Sequence, residues 1–313
     1  MPPFRRMDAM RLALITSSFA LALASGCDCD GASDNPDAAG GGGDGAVVRD
    51  GSSGADSGGG GRDASATGRD GSSSAEVCDG VDNDGNGIVD DVDVGGDGIC
   101  DCLIIATLGI AGEWGNGDVF AAWLDARSDI GATALTDQVL TPELLEPYQV
   151  IVAEDIRGRE YSASEVDALR QWIEAGGGFM TLIGYGDPSE RTNVNALLMP
   201  SGIQYDATPI LAGSPTVPIT TWHPHPVSMS VTQVGVDNGY EVIGAGTVIA
   251  EEGGFDVLRA VELGQGKVLV WGDEWITYDS EWTGHPEYQL ERFWLNAIKW
   301  LTPQDECQVP ILI

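Results

Sequence analysis

The sequence predicts an α/β domain, a three-layer sandwich in which helices cover both faces of a largely parallel sheet. Two observations point there. Between residues 103 and 303, short apolar runs alternate with stretches whose apolar residues recur at helical spacing. Those runs are near-continuous in Val, Ile and Leu, the pattern of strands buried on both faces of a parallel sheet.

Strands are expected at 103–108, 150–153, 178–183, 247–250, 257–262 and 267–271, and helices at 118–127, 163–175 and 287–301. The second helix has its start and stop written locally. Ser162 and Glu165 have the spacing of a capping box, and Gly176, Gly177 and Gly178 end it. Val166, Leu169 and Ile173 fall on one of its faces, as Trp294, Ala297, Ile298 and Leu301 do on the last helix.

The rest of the 313-residue chain is of other kinds. Arg5, Arg6 and Arg11 precede an apolar run from Leu12 to Ala24, which has the length of a signal-peptide core and is short for a bilayer span. The run closes on Leu23-Ala24-Ser25-Gly26-Cys27, which resembles the lipobox of bacterial lipoproteins. That resemblance implies a signal peptide over 1–26, lipidation at Cys27, and a chain anchored to the inner or outer membrane facing the periplasm or exterior. Residues 27–76 are mostly Gly, Ser, Asp and Ala, with Arg-Asp-Gly-Ser-Ser at 49–53 and again at 69–73. Such a segment buries too little apolar surface to offset the entropy of ordering it, so it reads as a disordered tether spanning on the order of 40 Å.

Residues 77–102 hold an aspartate-rich loop. Asp82, Asp84, Asn86, Asp90 and Asp93 take the spacing of oxygen ligands in a calcium loop, with the Ile88 carbonyl as a further ligand and Gly87 at the sharp turn. Calcium is the cofactor this spacing predicts, with a structural role at the junction of tether and domain. The segment also resembles thrombospondin type 3 and dockerin loops, and a short metal-binding motif of secreted bacterial proteins whose second cysteine is here Gly85. Six cysteines in an exported chain suggest disulfides. If Cys27 is lipidated, Cys29, Cys78, Cys100, Cys102 and Cys307 remain. Pairing Cys78 with Cys100 would close the loop, and Cys102 with Cys307 would staple the domain to its tail, 304–313.

The formal charge is −34, and Lys267 and Lys299 are the two lysines. Nucleic acid is therefore disfavoured as a partner, because its binding relies on neutralising phosphates.

The run ALRQWIEAGGGFMTLIGYG at 168–186, then His225-Pro226-Val227, then Gly266-Lys267-Val268 leading to Gly272-Asp273, resembles class I glutamine-amidotransferase-like domains. The resemblance covers 103–301 and implies a flavodoxin-like sandwich. Active members carry a nucleophilic cysteine in a Gly-x-Cys-x-Gly turn after a strand. The matching stretch Leu182-Ile183-Gly184-Tyr185-Gly186 places Gly184 there, and glycine has nothing with which to attack a carbonyl. His285-Pro286-Glu287 copies the end of the family's triad, farther from its strand than in the family.

Other polar groups stand beyond strand ends, where open sheets bind ligands. These are Asp155, Asp187, Asp273 and Glu274, with Trp275, Tyr278 and Trp282 in the last of these loops. His223-Pro224-His225 reads as a turn. The expected function is a non-catalytic envelope-anchored lipoprotein whose domain serves binding or assembly with a protein or glycan. The alternatives are a hydrolase using Asp273 and Glu274 with His285, and a calcium-dependent surface adhesin. Convergence of Asp155, Asp187, Asp273, Glu274 and His285 in one deep pocket would favour the hydrolase.

Overall fold

In the computed structural model the chain divides into two units, Met1–Thr67 and Gly68–Ile313. The structure describes residues 75–112, 116–184, 188–209 and 216–309, all in the second unit. The expected signal peptide, Cys27, Cys29, most of the expected tether, and Tyr185, Gly186 and Asp187 lie outside the described residues.

The first half runs β1 (Ile105–Gly109), α1 (Asp118–Asp125), β2 (Thr133–Ala134), α2 (Pro142–Leu145), β3 (Val150–Glu154), α3 (Ala163–Glu174), β4 (Gly178–Thr181) and α4 (Pro188–Leu198). The second half runs β5 (Ile203–Pro209), β6 (Val217–Ile219), β7 (Thr221–Trp222), β8 (Val234–Val236), β9 (Tyr240–Gly244), β10 (Thr247–Glu252), β11 (Phe255–Leu263), β12 (Gly266–Trp271), α5 (Asp279–Gly284) and α6 (Leu290–Leu301). Eight strands form the main sheet in the order β2-β1-β3-β4-β12-β11-β10-β7. The first five are parallel. The last three join by antiparallel pairing. The leading part has the flavodoxin-like order, in which the chain winds outward in both directions from the β1–β3 gap.

Burial follows the two-residue period of the strands. Ile105, Val150, Val152, Met180, Leu269 and Trp271 enter one core with Phe120 and Leu124 of α1 and Phe293, Trp294 and Ile298 of α6. Their neighbours Ala106, Leu108, Ile151, Phe179, Val268 and Val270 enter a second core with Val166, Leu169 and Ile173 of α3 and Val194 and Leu197 of α4. Both sheet faces are thus covered, which is the predicted three-layer sandwich.

The capping box forms as expected. The Glu165 N–H donates to Ser162 Oγ (3.3 Å) and the Ser162 N–H to Glu165 Oε2 (2.9 Å). The hairpin between β10 and β11 turns on Gly253 (φ 61°) and Gly254 (φ 90°), the left-handed pair that matches strand twist. Sequence reading did not foresee α4, the β5–β9 pair or the β6–β8 pair.

The aspartate-rich segment is not a free linker. The Val89 N–H donates to the Asp305 carbonyl (3.3 Å) and the Cys307 N–H to the Val89 carbonyl (2.8 Å). Ile99, Cys100 and Cys102 belong to the first core. The disulfides are Cys78–Cys102 and Cys100–Cys307, which corrects the expected pairing. The bond between Val89 and Cys307 brings the tail alongside this segment, where Cys100 is buried and faces it. Both bridges have Cα atoms 5.3 Å apart, within the span a disulfide needs.

Candidate functional site

Strands β3 and β12 end in acidic residues because each apolar run stops there and the chain turns into a loop. Glu154 closes β3, while Asp273 and Glu274 follow β12. In an ordinary domain these carboxylates would face water. Here Glu154 is 3% exposed, Asp273 2% and Glu274 1%, and Glu190 of α4 (0%) and Asp237 of the β8–β9 turn (1%) are buried with them.

Removal from water disfavours the charged form of a carboxyl. Burial pushes Glu154 up to about 8, against hydrogen bonds that pull it down, with the charges of Glu190 and Asp155 adding to the rise. Burial, then the charge of Glu154, pushes Glu274 up to about 9. Asp273 is raised well above the usual carboxylate range, again mainly by burial. Glu154 and Glu274 therefore hold protons at neutral pH.

The bonds these groups make are those of loop organisers. Glu154 Oε1 accepts from the Gly112 N–H (2.9 Å) and the Thr277 hydroxyl (2.6 Å), tying the loop after β1 to the loop after β12. Asp273 Oδ1 accepts from the N–H groups of Glu274 (2.6 Å) and Trp275 (3.3 Å), and its Oδ2 from that of Asp237 (3.0 Å). The Tyr278 hydroxyl donates to Glu274 Oε1 (2.6 Å). The second oxygens of Glu154 and Glu274 are buried and lack a hydrogen-bond partner among the described residues.

Gly184 lies just past β4 in the same region. The Ile183 N–H reaches the Asp273 carbonyl (3.4 Å). The Gly184 N–H donates to both oxygens of the Glu190 carboxylate (3.2 Å each). At Gly184 the backbone itself is held by an acid.

His285 is elsewhere. It is half-exposed, with Nδ1 on Glu287 (2.9 Å), Nε2 4.0 Å from Glu281, and its ring stacked on Tyr288. The Glu287 hydrogen bond raises its pKa. Asp273 and Glu274 thus come together with Glu154, Glu190 and Asp237, without an imidazole among these partners. Asp155 stands beside them in a left-handed backbone conformation (φ 49°), unusual for a residue other than glycine, and pairs with Arg157 (3.0 Å). Trp282 packs on Phe120 and Trp123 and donates to the Ile276 carbonyl, so it is core and not a ligand platform. His225 caps the short turn Pro226–Ser228, as the proline-rich setting predicted.

Sequence reading missed Glu154, Glu190 and Asp237. Glu154 had a signal, a carboxylate ending a wholly apolar strand next to Asp155. Glu190 and Asp237 had none, since each acquires meaning only from what folds over it.

A cavity of about 370 Å³ opens at the β1–β3 switch point. Thr107, Val152 and Glu154 line it from the sheet, and Phe120, Ala122 and Leu124 from α1. Neither Asp273, Glu274 nor His285 lines it. Gly109 is required at its edge, because a Cβ there would stand 1.6 Å from the Glu154 carbonyl oxygen.

The aspartate loop organises itself through its own backbone. Asp82 Oδ1 accepts from the Gly85 and Asn86 N–H groups (2.6 and 3.1 Å) and Oδ2 from that of Gly87 (2.8 Å). Asp93 repeats the pattern with Gly96, Asp97 and Gly98 (2.6, 3.2 and 3.0 Å). Asp90 Oδ1 takes the N–H groups of Asp79 and Gly80 (3.0 Å each), and Asn86 Oδ1 takes that of Ile88 (2.8 Å). Of the expected ligands, Asp84 is the one whose carboxylate joins a cluster of three acids, with Glu76 and Asp91, their oxygens within 4.8 Å of one another. Glu76 Oε2 is buried there without a hydrogen-bond partner among the described residues. An all-oxygen set with an unsatisfied carboxylate oxygen fits a hard cation.

No protein-family model matches the sequence, and no curated protein does. Solved structures do resemble it. The cytoplasmic protein STM1381 of Salmonella typhimurium LT2 overlays with a TM-score of 0.52 at 14% identity, over 64% of this chain and 100% of that one. The likeness carries the fold alone. A ThuA-like protein of Bacteroides uniformis (TM-score 0.43, 15% identity, 64% of this chain and 92% of that one) and the exo-β-1,4-mannosidase Op5Man5 of an Opitutaceae bacterium (0.41, 14%, 64% and 36%) overlay more loosely. The α/β sandwich expected from the resemblance is the one observed. Among the described residues, no helix is long and apolar enough to cross a membrane.

Proposed function

We propose that this chain is a non-catalytic lipoprotein of the cell envelope, held to a membrane through lipid at Cys27, whose amidotransferase-like domain binds a ligand or partner. One observation carries the non-catalytic part. At the turn where the resembled family presents its thiol, Gly184 has no side chain and its N–H is occupied by Glu190 (3.2 Å). A covalent acyl intermediate needs a nucleophile beside a base, and Gly184 supplies no nucleophile. The buried acids support the same reading, because Asp273 gives both oxygens, and Glu154 its Oε1, to groups that organise the surrounding loops.

Calcium is proposed as the cofactor of the aspartate-rich segment, with Asp84, Glu76 and Asp91 as nearest ligands, supported by their mutual approach within 4.8 Å. Its role would be structural, stiffening the approach to a domain already stapled by two disulfides.

Two measurements test the proposal. Alkyne-palmitate labelling and membrane fractionation of the full chain should show a labelled, sedimenting protein, and Cys27→Ala should lose both properties. Incubation with glutamine, chromogenic glycosides and peptide esters should give no turnover. Turnover that disappears in Asp273→Asn or Glu274→Gln would replace this reading with the hydrolase.

A further inference from the structure

The aspartate-rich segment is attached to the domain in two different ways. From Val89 onward it is built in. Val89 bonds to the tail at Asp305 and Cys307 (3.3 and 2.8 Å), Val92 packs against the first core, and Ile99, Cys100 and Cys102 belong to that core. Residues 77–88 are held differently. Their N–H groups find side-chain acceptors within the segment itself, as Asp84 does on Glu76 (2.6 Å) and as Asp79 and Gly80 do on Asp90 (3.0 Å each). None of these twelve positions contributes to either core. The covalent link that carries this stretch to the body of the fold is the disulfide Cys78–Cys102.

The two disulfides differ in what a reductant can reach. Cys78 is exposed, as is every residue from Val77 to Val81, and its partner Cys102 is buried. Cys100 and Cys307 are both buried in the first core, 2% and 3% exposed. Thiol–disulfide exchange begins when a thiolate strikes one sulfur of the bridge, so access decides which bridge reacts. Ring size acts in the same direction. Cys78–Cys102 closes 24 residues and Cys100–Cys307 closes 207, so the shorter ring contributes less to holding the fold.

We propose that Cys78–Cys102 is a redox-operated clasp, opened by a dithiol reductant while Cys100–Cys307 stays closed, and that its opening releases residues 77–88 from the domain. One thiolate of the reductant attacks the Cys78 sulfur. The electron pair of the bridge leaves on the Cys102 sulfur, which takes a proton. The reductant's second thiolate then attacks the mixed disulfide, closes the reductant's own disulfide and expels the Cys78 thiolate, which is protonated in turn. Two electrons pass from the reductant to the protein. The first firm attachment is then Val89, and the stretch between Cys78 and Val89 spans roughly 20 Å as a flexible coil. The clasp therefore sets how far the domain reaches from whatever holds its amino-terminal side. That the holder is a membrane rests on the lipoprotein reading above; the clasp itself does not.

The test is graded reduction of the full chain with dithiothreitol in the presence of a calcium chelator. Hydrogen exchange is followed at each step, and a parallel sample is quenched with N-ethylmaleimide and mapped by mass spectrometry. The expected result is a range of reductant in which Cys78 and Cys102 carry label and Cys100 and Cys307 do not. The Cys102 N–H lies 3.3 Å from Cys100 Sγ, so label on Cys307 reads any exchange from the released thiolate into the second bridge. In the selective range the Asp79 and Gly80 amides should exchange on the order of a hundredfold faster, the factor that closing a ring of this size supplies, with α3 unchanged. The double variant Cys78→Ser/Cys102→Ser should show the same exchange without reductant, which separates loss of the bridge from any effect of the reagent. The proposal is overturned if Cys100 or Cys307 takes label wherever Cys78 does, or if Cys78–Cys102 resists reduction until the α3 amides open. Unchanged exchange at Asp79 and Gly80 once both cysteines are labelled overturns it as well. Loss of the lipid labelling expected at Cys27 would withdraw the membrane as holder and leave the ordered opening of the two bridges standing.

Discussion

Replacing Glu154 by Gln should flatten the dependence of stability on pH. Glutamine keeps an acceptor for the Gly112 N–H and the Thr277 hydroxyl and carries no ionisable group. It removes only the titration. In the wild type the unfolded chain releases this proton above its ordinary value of 4.5, whereas the folded chain holds it up to about 8. Between those values the folded state binds the extra proton. Stability is therefore fully present below 4.5, falls as pH rises towards 8, and is level above that. Each proton is worth about 1.4 kcal/mol per pH unit, so this one group costs roughly 3 kcal/mol by pH 7 and on the order of 5 kcal/mol above pH 8. Glu274, pushed up to about 9, acts with the same sign and persists in the variant, so the slope should fall without vanishing. Urea unfolding at pH 5, 6, 7, 8 and 9 measures it. Glu154→Gln should match the wild type near pH 5 and exceed it by a margin that widens to about pH 8. Parallel curves for the two proteins would refute the reasoning, since they would mean that Glu154 is ionised in the fold or reached by water.

The bridge Cys100–Cys307 closes 207 residues and Cys78–Cys102 closes 24, so chain entropy assigns about 5 and about 3 kcal/mol to them. Paired Cys→Ser variants compared by urea unfolding should rank in that order, and the reverse order would contradict the assignment. Calcium titration should show binding that Asp84→Ala abolishes, whereas Asp90→Ala should cost about 1 kcal/mol even in chelator, because it strips the acceptor from the Asp79 and Gly80 N–H groups. Equal effects of the two variants on calcium affinity would count against this division. Glu287→Gln should lower the pKa of His285 towards 6.5, read from its ring proton shifts, because the Glu287 hydrogen bond is the first cause of its rise. An unchanged titration would place another group beside the ring.

Much of the sandwich was legible because its strands are self-declaring. Residues 150–153 and 268–271 are apolar runs, and only a sheet covered on both faces buries consecutive residues of that kind. Helix α3 declared itself through Ser162 and Glu165, whose bonds are local and need no partner element. Helix α4 was hidden because Glu190 and Asn193 sit on its buried side among Val194, Leu197 and Leu198, which breaks the apolar stripe. β5 and β9 were hidden because each gains a partner only from the other, across a long stretch of intervening chain.

At the site the division is sharper. The chain alone established that Gly184 offers no nucleophile and that Asp273 and Glu274 follow a strand end, since both statements concern covalent identity and local pattern. Tertiary structure decided that these acids share burial with Glu154, Glu190 and Asp237, and that His285 stands apart with Glu287. It also decided that Cys100 meets Cys307. The physical reason is one of range. Propensity, capping and strand period act over a few residues, whereas desolvation, a carboxyl's charge and a disulfide partner depend on which distant segments the fold brings into contact.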